Sequence, residues 1–482
     1  MVSILSSELI ELAEQVCRQR AESQTIEVKA AHVDCPRRLY DTLSSFSNQD
    51  SGGTILFGID EEAGFKVVGV YDLQDLQKKV AEQCRNMVPP VRAVFTTAEM
   101  DGFPICSAEI PAIDLADRPC YYGGSGRVGG AYIRVGDADM KMTDYELYSF
   151  ESFRKHQHDD ERPVERASLD LLNQNLLQLY VLQRSKDRPQ FAQLAQEQAY
   201  EMLNITRGGT PTLAAVMNFG AYPQGFFPQL GIIATVVPGT QIGVLDDNSA
   251  RFLDNKRIEG TIAAMAEEAM AFCRRNMKIN TIIDSETGLR TDRTEYPIEA
   301  IREAILNALI HRDYSVHTEG TPIQINFFTD RLEIHSPGNL YGRMSIDQLG
   351  VARPDLRNPA LAVMTENLIG SENRYSGIPT MRRAMKEYGL PEPKFENRRQ
   401  EFVVTLYNSS RGADAQHNSE PDLLIFCRAP RTRKEIADHL GLATISHVQK
   451  KYIDPLIDSG QLAMTVPDKP RSRYQKFYTV QQ

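Results

Sequence analysis

No apolar run in these 482 residues approaches the roughly 20 that a helix needs to cross a bilayer, and the N-terminus lacks the pattern of a secretory leader. The expectation is a cytoplasmic protein with no membrane contact. The seven cysteines (17, 35, 84, 106, 120, 273 and 427) are odd in number, scattered, and form no CxxC pair. That pattern argues against a zinc site and a disulfide framework, leaving reduced thiols. No GxxxxGK[ST] segment exists, which excludes the P-loop class of NTPases. An excess of positive charge is missing too: the net charge is -10, so the whole chain does not advertise a nucleic-acid partner. What remains, 41% hydrophobic and 24% charged residues, describes a globular protein. At roughly 150 residues per domain, the length allows about three domains.

The distribution of charge is more informative than its sum. Residues 423–482 carry ten Lys or Arg against five Asp or Glu, a surplus of +5 that leaves -15 on the rest of the chain. This segment follows a polar linker at 409–419 and has its own plan. Helical patterns begin at Leu423, at Arg431 (stopped by Gly441) and at Thr444 (with Pro455 as an early end), and two strands flank a Pro/Lys/Arg turn. Three helices and a basic hairpin predict a winged helix-turn-helix. Its third helix would offer Thr444, Ser446, His447, Gln449 and Lys450 to a major groove, and its wing Lys469, Arg471 and Arg473 to phosphates. DNA is the expected partner, with RNA as an option. A winged helix used for protein docking is the alternative.

The densest signal lies at residues 295–314. Ile298, Ile301, Ile305 and Leu309 mark one buried helix face behind Pro297, at a first helical position. Glu303, Asn307 and His311 follow at intervals of four, so all three leave one side of that helix. An amide oxygen can hold a hard cation such as Mg2+, and a carboxylate can polarise water beside a phosphate. On spacing alone, an amphipathic helix with its polar face to water explains the stripe equally well.

The residues Glu303-Ala-Ile-Leu-Asn307-Ala-Leu-Ile-His311-Arg-Asp-Tyr314 also resemble the N-box of the GHKL ATP-binding fold, in the variant found in bacterial proteins that join a Schlafen/AlbA-like domain to a GHKL module. The resemblance implies an α+β multidomain chain: an AlbA/Schlafen-like domain at 1–155, a connector at 156–285, a GHKL α/β sandwich at 286–410 and the winged helix at 420–482. It further implies ATP and Mg2+ as ligands, with Asn307 on the metal, Glu303 polarising water, and His311, Ser336, Gly338, Ser376 and Gly377 around the nucleotide. Two departures stand out. Ser336 occupies the place of the aspartate that reads the adenine amino group, and Tyr375 replaces a glycine of the phosphate loop. The Arg357-Asn358-Pro359 segment matches the family's lid.

In the N-terminal segment, the Glu27-Val28-Lys29 strand, the Asn48…Gly52-Gly53 turn, a strand at 54–60 with a partner at 66–70, and Gly130-Ala-Tyr-Ile-Arg134-Val-Gly136 resemble the Schlafen/AlbA-like domain. Some Schlafen proteins cut RNA with three carboxylates and a metal. The positions that match are Glu22, Glu27 and Asp60, with Lys29 beside them. The bland alternative is that Glu27 and Lys29 form a pair and Asp60 opens a turn. The Gly-rich stretch 121–130 reads as a mobile or hairpin loop, 156–163 as a solvated linker, 169–203 as a helical region, and 257–276 as a helix. The expected function is an ATP-binding, nucleic-acid-binding regulator of transcription acting as a homo-oligomer. The rival is a metal-dependent Schlafen-type nuclease, with phage defence as its setting.

Overall fold

The computed structural model describes residues 5–186, 188–246, 249–283, 290–370 and 377–409 and, within 423–480, residues 423, 426–427, 430–439, 448–458, 461–465 and 475–480. It divides into two compact units, Met1–His158 and Asp159–Gln482.

In the first unit, β1 (Ile26–Lys29) runs parallel to β2 (Gly53–Phe57). Strand β2 pairs antiparallel with β4 (Phe103–Ile110), and β4 pairs antiparallel with β3 (Val94–Met100), giving the order β1-β2-β4-β3. Helix α1 (Ser6–Gln19) packs on β3, and α3 (Leu73–Arg85) starts at an Asp72 cap. Helix α2 (Tyr40–Asn48) is buried from Thr42 onward. Its tight fit explains the glycine pair after it: a Cβ on Gly53 would fall 2.4 Å from the Phe46 ring, and one on Gly52 would fall 2.4 Å from the Ile110 carbonyl oxygen. Gly52 also has φ +64°, which glycine adopts without strain. Buried Asn48 donates to the carbonyls of Cys120 (2.9 Å) and Tyr132 (3.0 Å) and accepts from the Cys120 amide (2.7 Å), tying α2 to β5 (Tyr132–Val135). Strand β5 forms a hairpin with β6 (Ala138–Lys141), and a Thr143/Glu146 capping box starts α4 (Asp144–Arg154).

Two expectations change here. The apolar run 54–60 is not one strand, because Gly58 (φ +100°) breaks it and only Ile59–Asp60 pair with Lys66–Val67. The Gly-rich stretch is not an open loop. Tyr122 pairs with Met87 and stacks on Tyr40 at 3.8 Å, and the chain then winds through two short helical turns. A Cβ on Gly124 would lie 2.5 Å from the Tyr122 ring, so the glycines allow the backbone to wrap that ring.

The second unit is built on a six-stranded sheet. Its strands are β7 (Ile232–Val236), β8 (Asp254–Ile258), β9 (Ile323–Phe327), β10 (Arg331–Pro337), β11 (Lys394–Arg398) and β12 (Glu401–Tyr407), in the order β8-β7-β9-β10-β12-β11. Strands β7 and β9 are parallel, and every other pair is antiparallel. The expected connector boundary at 285 is therefore not a boundary of the sheet, since β7 and β8 precede it. One edge of the sheet belongs to β11, whose alternating charges (Lys394, Glu396, Arg398) give no apolar signal. The helix expected over 257–276 is shorter: Arg257 lies in edge strand β8, and α6 spans Ile262–Asn276 behind a Thr261 cap. The 169–203 region is two helices, Gln174–Ser185 and Gln196–Met202.

Helix α7 (Ile298–His311) packs against both α6 and α9 (Gly377–Glu387). Pro297 is its N-cap rather than its first helical residue. One core, including Ile301, Ile305, Leu309, Ile325, Ile334 and Met381, joins these helices to the sheet and extends to α5 (Leu213–Phe219), which is wholly buried. The described C-terminal residues form a three-stranded sheet of β13 (Arg431–Thr432), β15 (Lys476–Thr479) and β14 (Leu462–Met464), in the order β13-β15-β14, with α10 at Arg433–His439. Pro455 does not end the last helix. A π-wound turn at Gln449–Ile453 leads into Asp454–Asp458, so the helix passes the residue that lacks an amide hydrogen.

The expected linker at 156–163 is not solvated throughout. Asp160 is fully buried, and its Oδ2 accepts from the Leu361 amide at 2.8 Å, in the first turn of α8 (Pro359–Ile369). That helix has no cap from its own N-cap residue, Asn358, whose side-chain amide nitrogen donates to the carbonyls of Ile310 and Arg312 (2.8 Å each). A carboxylate brought from 201 residues away thus serves the orphan amides and the positive end of the helix. Replacing it with Asp160→Ala should cost about 2 kcal/mol, the scale of a lost charge-assisted hydrogen bond, read as a lower denaturant midpoint at unchanged slope.

Candidate functional site

The stripe Glu303, Asn307, His311 is intact on α7, and the first turn of α9 is laid across it. A Cβ on Gly377 would lie 2.8 Å from Glu303 Oε2 and 3.2 Å from Asn307 Nδ2, so the backbone at the start of α9 lies close against the two side chains. Glu303 is half-buried, and burial, the largest cause, raises its carboxyl above the usual range. An 11-residue helix that begins against a carboxamide and a carboxylate brings its first backbone amides and the positive end of its dipole to one place. Ser376 and Tyr375, expected beside it, lie outside the described residues.

His311, one turn further, is exposed, and the protein packed around it, with the Arg357 charge second, pushes its imidazole down. The C-terminal end of α7 is held by buried polar groups. Asp313 forms an ion pair with Arg357, both nearly inaccessible, and accepts from the Ser315 amide at 2.7 Å. Arg357 also donates to the Asn339 carbonyl at 2.7 Å, and its guanidinium lies 5.0 Å from the centre of the Tyr341 ring. Gly338 (φ +104°) passes so close that a Cβ would meet the Asp313 Cβ at 2.5 Å. Ser336 is buried, and its hydroxyl donates to the Ala308 carbonyl at 3.2 Å. Glu303, Asn307 and Gly377 therefore converge, and Ser336, Gly338, Asp313 and Arg357 gather around the other end of the same helix. Arg357 and Asn358, expected in a lid, are buried anchors instead.

The N-terminal carboxylates have a different arrangement. Glu27 pairs with Lys29 and, at 2.7 Å, with Arg134, a residue the sequence marked only as part of a strand. Glu22 accepts from the Val28 amide (2.7 Å) and lies 3.4 Å from Arg134. Asp60 is spent on a local turn, accepting from the amides of Glu62 (3.1 Å) and Ala63 (3.4 Å). Among the described residues, no group of three or more His, Cys, Asp or Glu side chains is placed to hold a metal ion. The expected Glu22, Glu27, Asp60 triad is thus not assembled as one, because two members face an arginine and the third a turn. At the C-terminus, Gln449 bonds to Arg433 (2.5 Å) and Asp454, which commits its amide within the fold. Lys450 lies in the same π-wound turn. Thr444, Ser446, His447, Lys469, Arg471 and Arg473 lie outside the described residues.

Glu22 gives a test of the N-terminal cluster. Its carboxyl is pushed up to about 7 from 4.5, by burial first, against the Val28 amide, and with Glu27 adding to the rise. The folded state then binds more protons than the unfolded chain between those values, so stability falls as pH rises through this window. Glu22→Gln should remove that slope, raising the melting temperature more at pH 8 than at pH 5.

Three family models match parts of the chain. Residues 22–143 match "Schlafen, AlbA_2", residues 320–406 match "Putative ATP-dependent DNA helicase recG C-terminal", and residues 422–479 match "Filamentation induced by cAMP protein Fic-like, C-terminal domain". The last was not anticipated from sequence. No curated protein matches the chain. Among solved structures, the DIP2311 protein of Corynebacterium diphtheriae is 18% identical over 92% of both chains with a TM-score of 0.40. The N-terminal domain of a RecG-related protein from Nitrosomonas europaea is 26% identical over 28% of this chain and 93% of its own, with a TM-score of 0.23. No helix of the described residues is long and apolar enough to cross a membrane. The chain is a mixed α/β multidomain protein with an AlbA/Schlafen-like domain and an ATPase-like domain.

Proposed function

We propose that the protein binds ATP with Mg2+ at α7 and uses nucleotide occupancy to govern nucleic-acid binding, as a regulator of transcription whose C-terminal residues 420–482 form a winged helix and whose active form is a homo-oligomer. The observation that carries this reading is the approach of Gly377 to Glu303 and Asn307. A helix N-terminus beside a carboxamide and a carboxylate is where the phosphates of a nucleotide with its Mg2+ would be received. The side chains present fit the ligand. Asn307 offers an amide oxygen to Mg2+, and half-buried Glu303 stands where it can polarise a water. Bound Mg2+ would supply charge neutralisation at the phosphates. Domain boundaries follow the same reading, with residues 286–410 as a GHKL-type module that borrows β7 and β8 from the preceding segment.

Ser336 supports adenine in particular. Its proton is committed to the Ala308 carbonyl, so its oxygen has only lone pairs to offer, which suits an amino group at the purine 6-position and not a carbonyl. The match of residues 22–143 to a Schlafen/AlbA model and of 320–406 to a RecG-related one supports a link to nucleic acid. Support for the nuclease alternative is weaker, because Glu22 and Glu27 are engaged by Arg134 and Asp60 by its turn.

Calorimetric titration of Mg·ATP should show saturable binding that Asn307→Ala weakens by about tenfold or more, equivalent to about 1.4 kcal/mol. Absence of heat at millimolar ATP would sink the proposal. Ser336→Ala should narrow the preference for ATP over GTP while leaving fold and solubility intact. An unchanged ATP-to-GTP ratio would remove Ser336 from the base site.

A further inference from the structure

In the first unit, three carboxylates from separate places in the chain converge on one guanidinium. The Arg134 side chain is 1% exposed. Its Nη1 lies 2.7 Å from Glu27 Oε2 and 3.0 Å from Asp139 Oδ1, and its Nη2 lies 3.4 Å from Glu22 Oε2. The carbonyls of Ser23 (3.4 Å) and Ile26 (3.3 Å) face the same nitrogen, and the Phe46 ring lies 5.2 Å from the guanidinium carbon. Asp139 is oriented by the hydroxyls of Thr42 (2.7 Å) and Ser45 (2.5 Å), so it is built in and not incidental. Glu27 is more than nine-tenths buried, and its Oε2 makes no hydrogen bond of acceptable direction despite its closeness to Nη1. A buried carboxylate oxygen paired by charge, with two further carboxylates on the same guanidinium, is what a hard divalent cation would also satisfy through directionless Coulomb attraction. A planar guanidinium, with fixed donor directions, satisfies it only by charge.

We propose that Arg134 is the resident cation of this carboxylate cluster, closing it to divalent metal, and that loss of the Arg134 charge opens a cation site formed by Glu22, Glu27 and Asp139. The N-terminal unit is then an AlbA/Schlafen-like module whose acid cluster serves to fix its fold and carries no metal. This does not depend on the nucleotide site. The geometry also explains why Asp139, and not Asp60, completes the set: the β5–β6 hairpin places Asp139 directly opposite Arg134.

The test uses the full chain without nucleotide and Mn2+ as the probe, with bound metal read from the electron paramagnetic resonance of free Mn2+ and stability from thermal melts. Wild-type protein should show no Mn2+ binding that Glu27→Gln removes. Arg134→Gln should melt lower in chelator, regain melting temperature with Mn2+, and bind the ion about tenfold or more tightly than wild type, an effect lost when Glu27→Gln is added. If Arg134→Gln is unfolded in chelator, refolding by Mn2+, followed by circular dichroism, is the same criterion. Mn2+ binding by wild type that Glu27→Gln abolishes would overturn the proposal. So would an Arg134→Gln protein whose melting or refolding ignores Mn2+.

Discussion

The second unit depends on charge taken out of water at the C-terminal end of α7. Arg312 is fully buried, and its guanidinium donates to the carbonyls of Asp313 (3.1 Å), Thr318 (3.0 Å) and Thr321 (3.0 Å), which turns the chain back toward β9. Burial, the largest cause, holds its pKa below the ordinary arginine value, and the Asp313 and Glu319 charges offset only part of that cost. Beside it, the Asp313–Arg357 pair and the Asn358 amide fasten the entry to α8 onto the same helix end. Breaking such a knot leaves an uncompensated charge in the interior, so the four consecutive residues Arg312 to Ser315 and the distant Arg357-Asn358 act together. Glu303, Asn307 and His311 inherit their orientation from a helix fixed at this end.

The two units handle buried charge in contrasting ways. In the second, Arg312 is spread over backbone carbonyls and Arg357 over one acid and a carbonyl, which pins the loops at the end of α7, while Glu303 and His311 titrate away from their ordinary values. In the first, Arg134 gathers acids from three strand or loop segments into one compact cluster that joins β1, β5 and β6 to α2. The first arrangement keeps polar side chains available near a helix N-terminus, and the second consumes them. That difference is the physical basis for placing ligand chemistry on α7 and structural chemistry around Arg134.

Much of this was legible in the residues. The apolar spacing of Ile298, Ile301, Ile305 and Leu309 marked α7, and the Gly52-Gly53 pair marked a tight turn. The failures share a cause. Strand β11 is charged on alternate residues, and β8 reads as a charged helix start, because edge strands gain from polar residues and emit no hydrophobic signal. Asp160 and Arg134 sit in polar or strand-like contexts, and their roles depend on partners 201 and 107 residues away, which no local window contains. The place of Asp139 beside Arg134 was hidden for the same reason, since it is set by the pairing of β5 with β6 and by no local motif.

The parallel pairing of β7 with β9 carries a consequence for how the chain assembles. Ile232 must meet Ile323 across about 90 residues that include α6, a hairpin and the whole of α7. Until β9 has been made, the β7–β8 hairpin has an open edge, although α6, made earlier, packs on its face. On a ribosome that interval lasts several seconds at ordinary rates of synthesis. The charges of β8, including Asp254, Lys256 and Arg257, then guard the outer edge against pairing with other chains during the wait, while the inner edge of β7, rich in Ile, Ala and Val, stays exposed. Folding of the second unit is thus limited by long-range closure and not by helix formation, and aggregation during synthesis will track the life of that unpaired β7 edge.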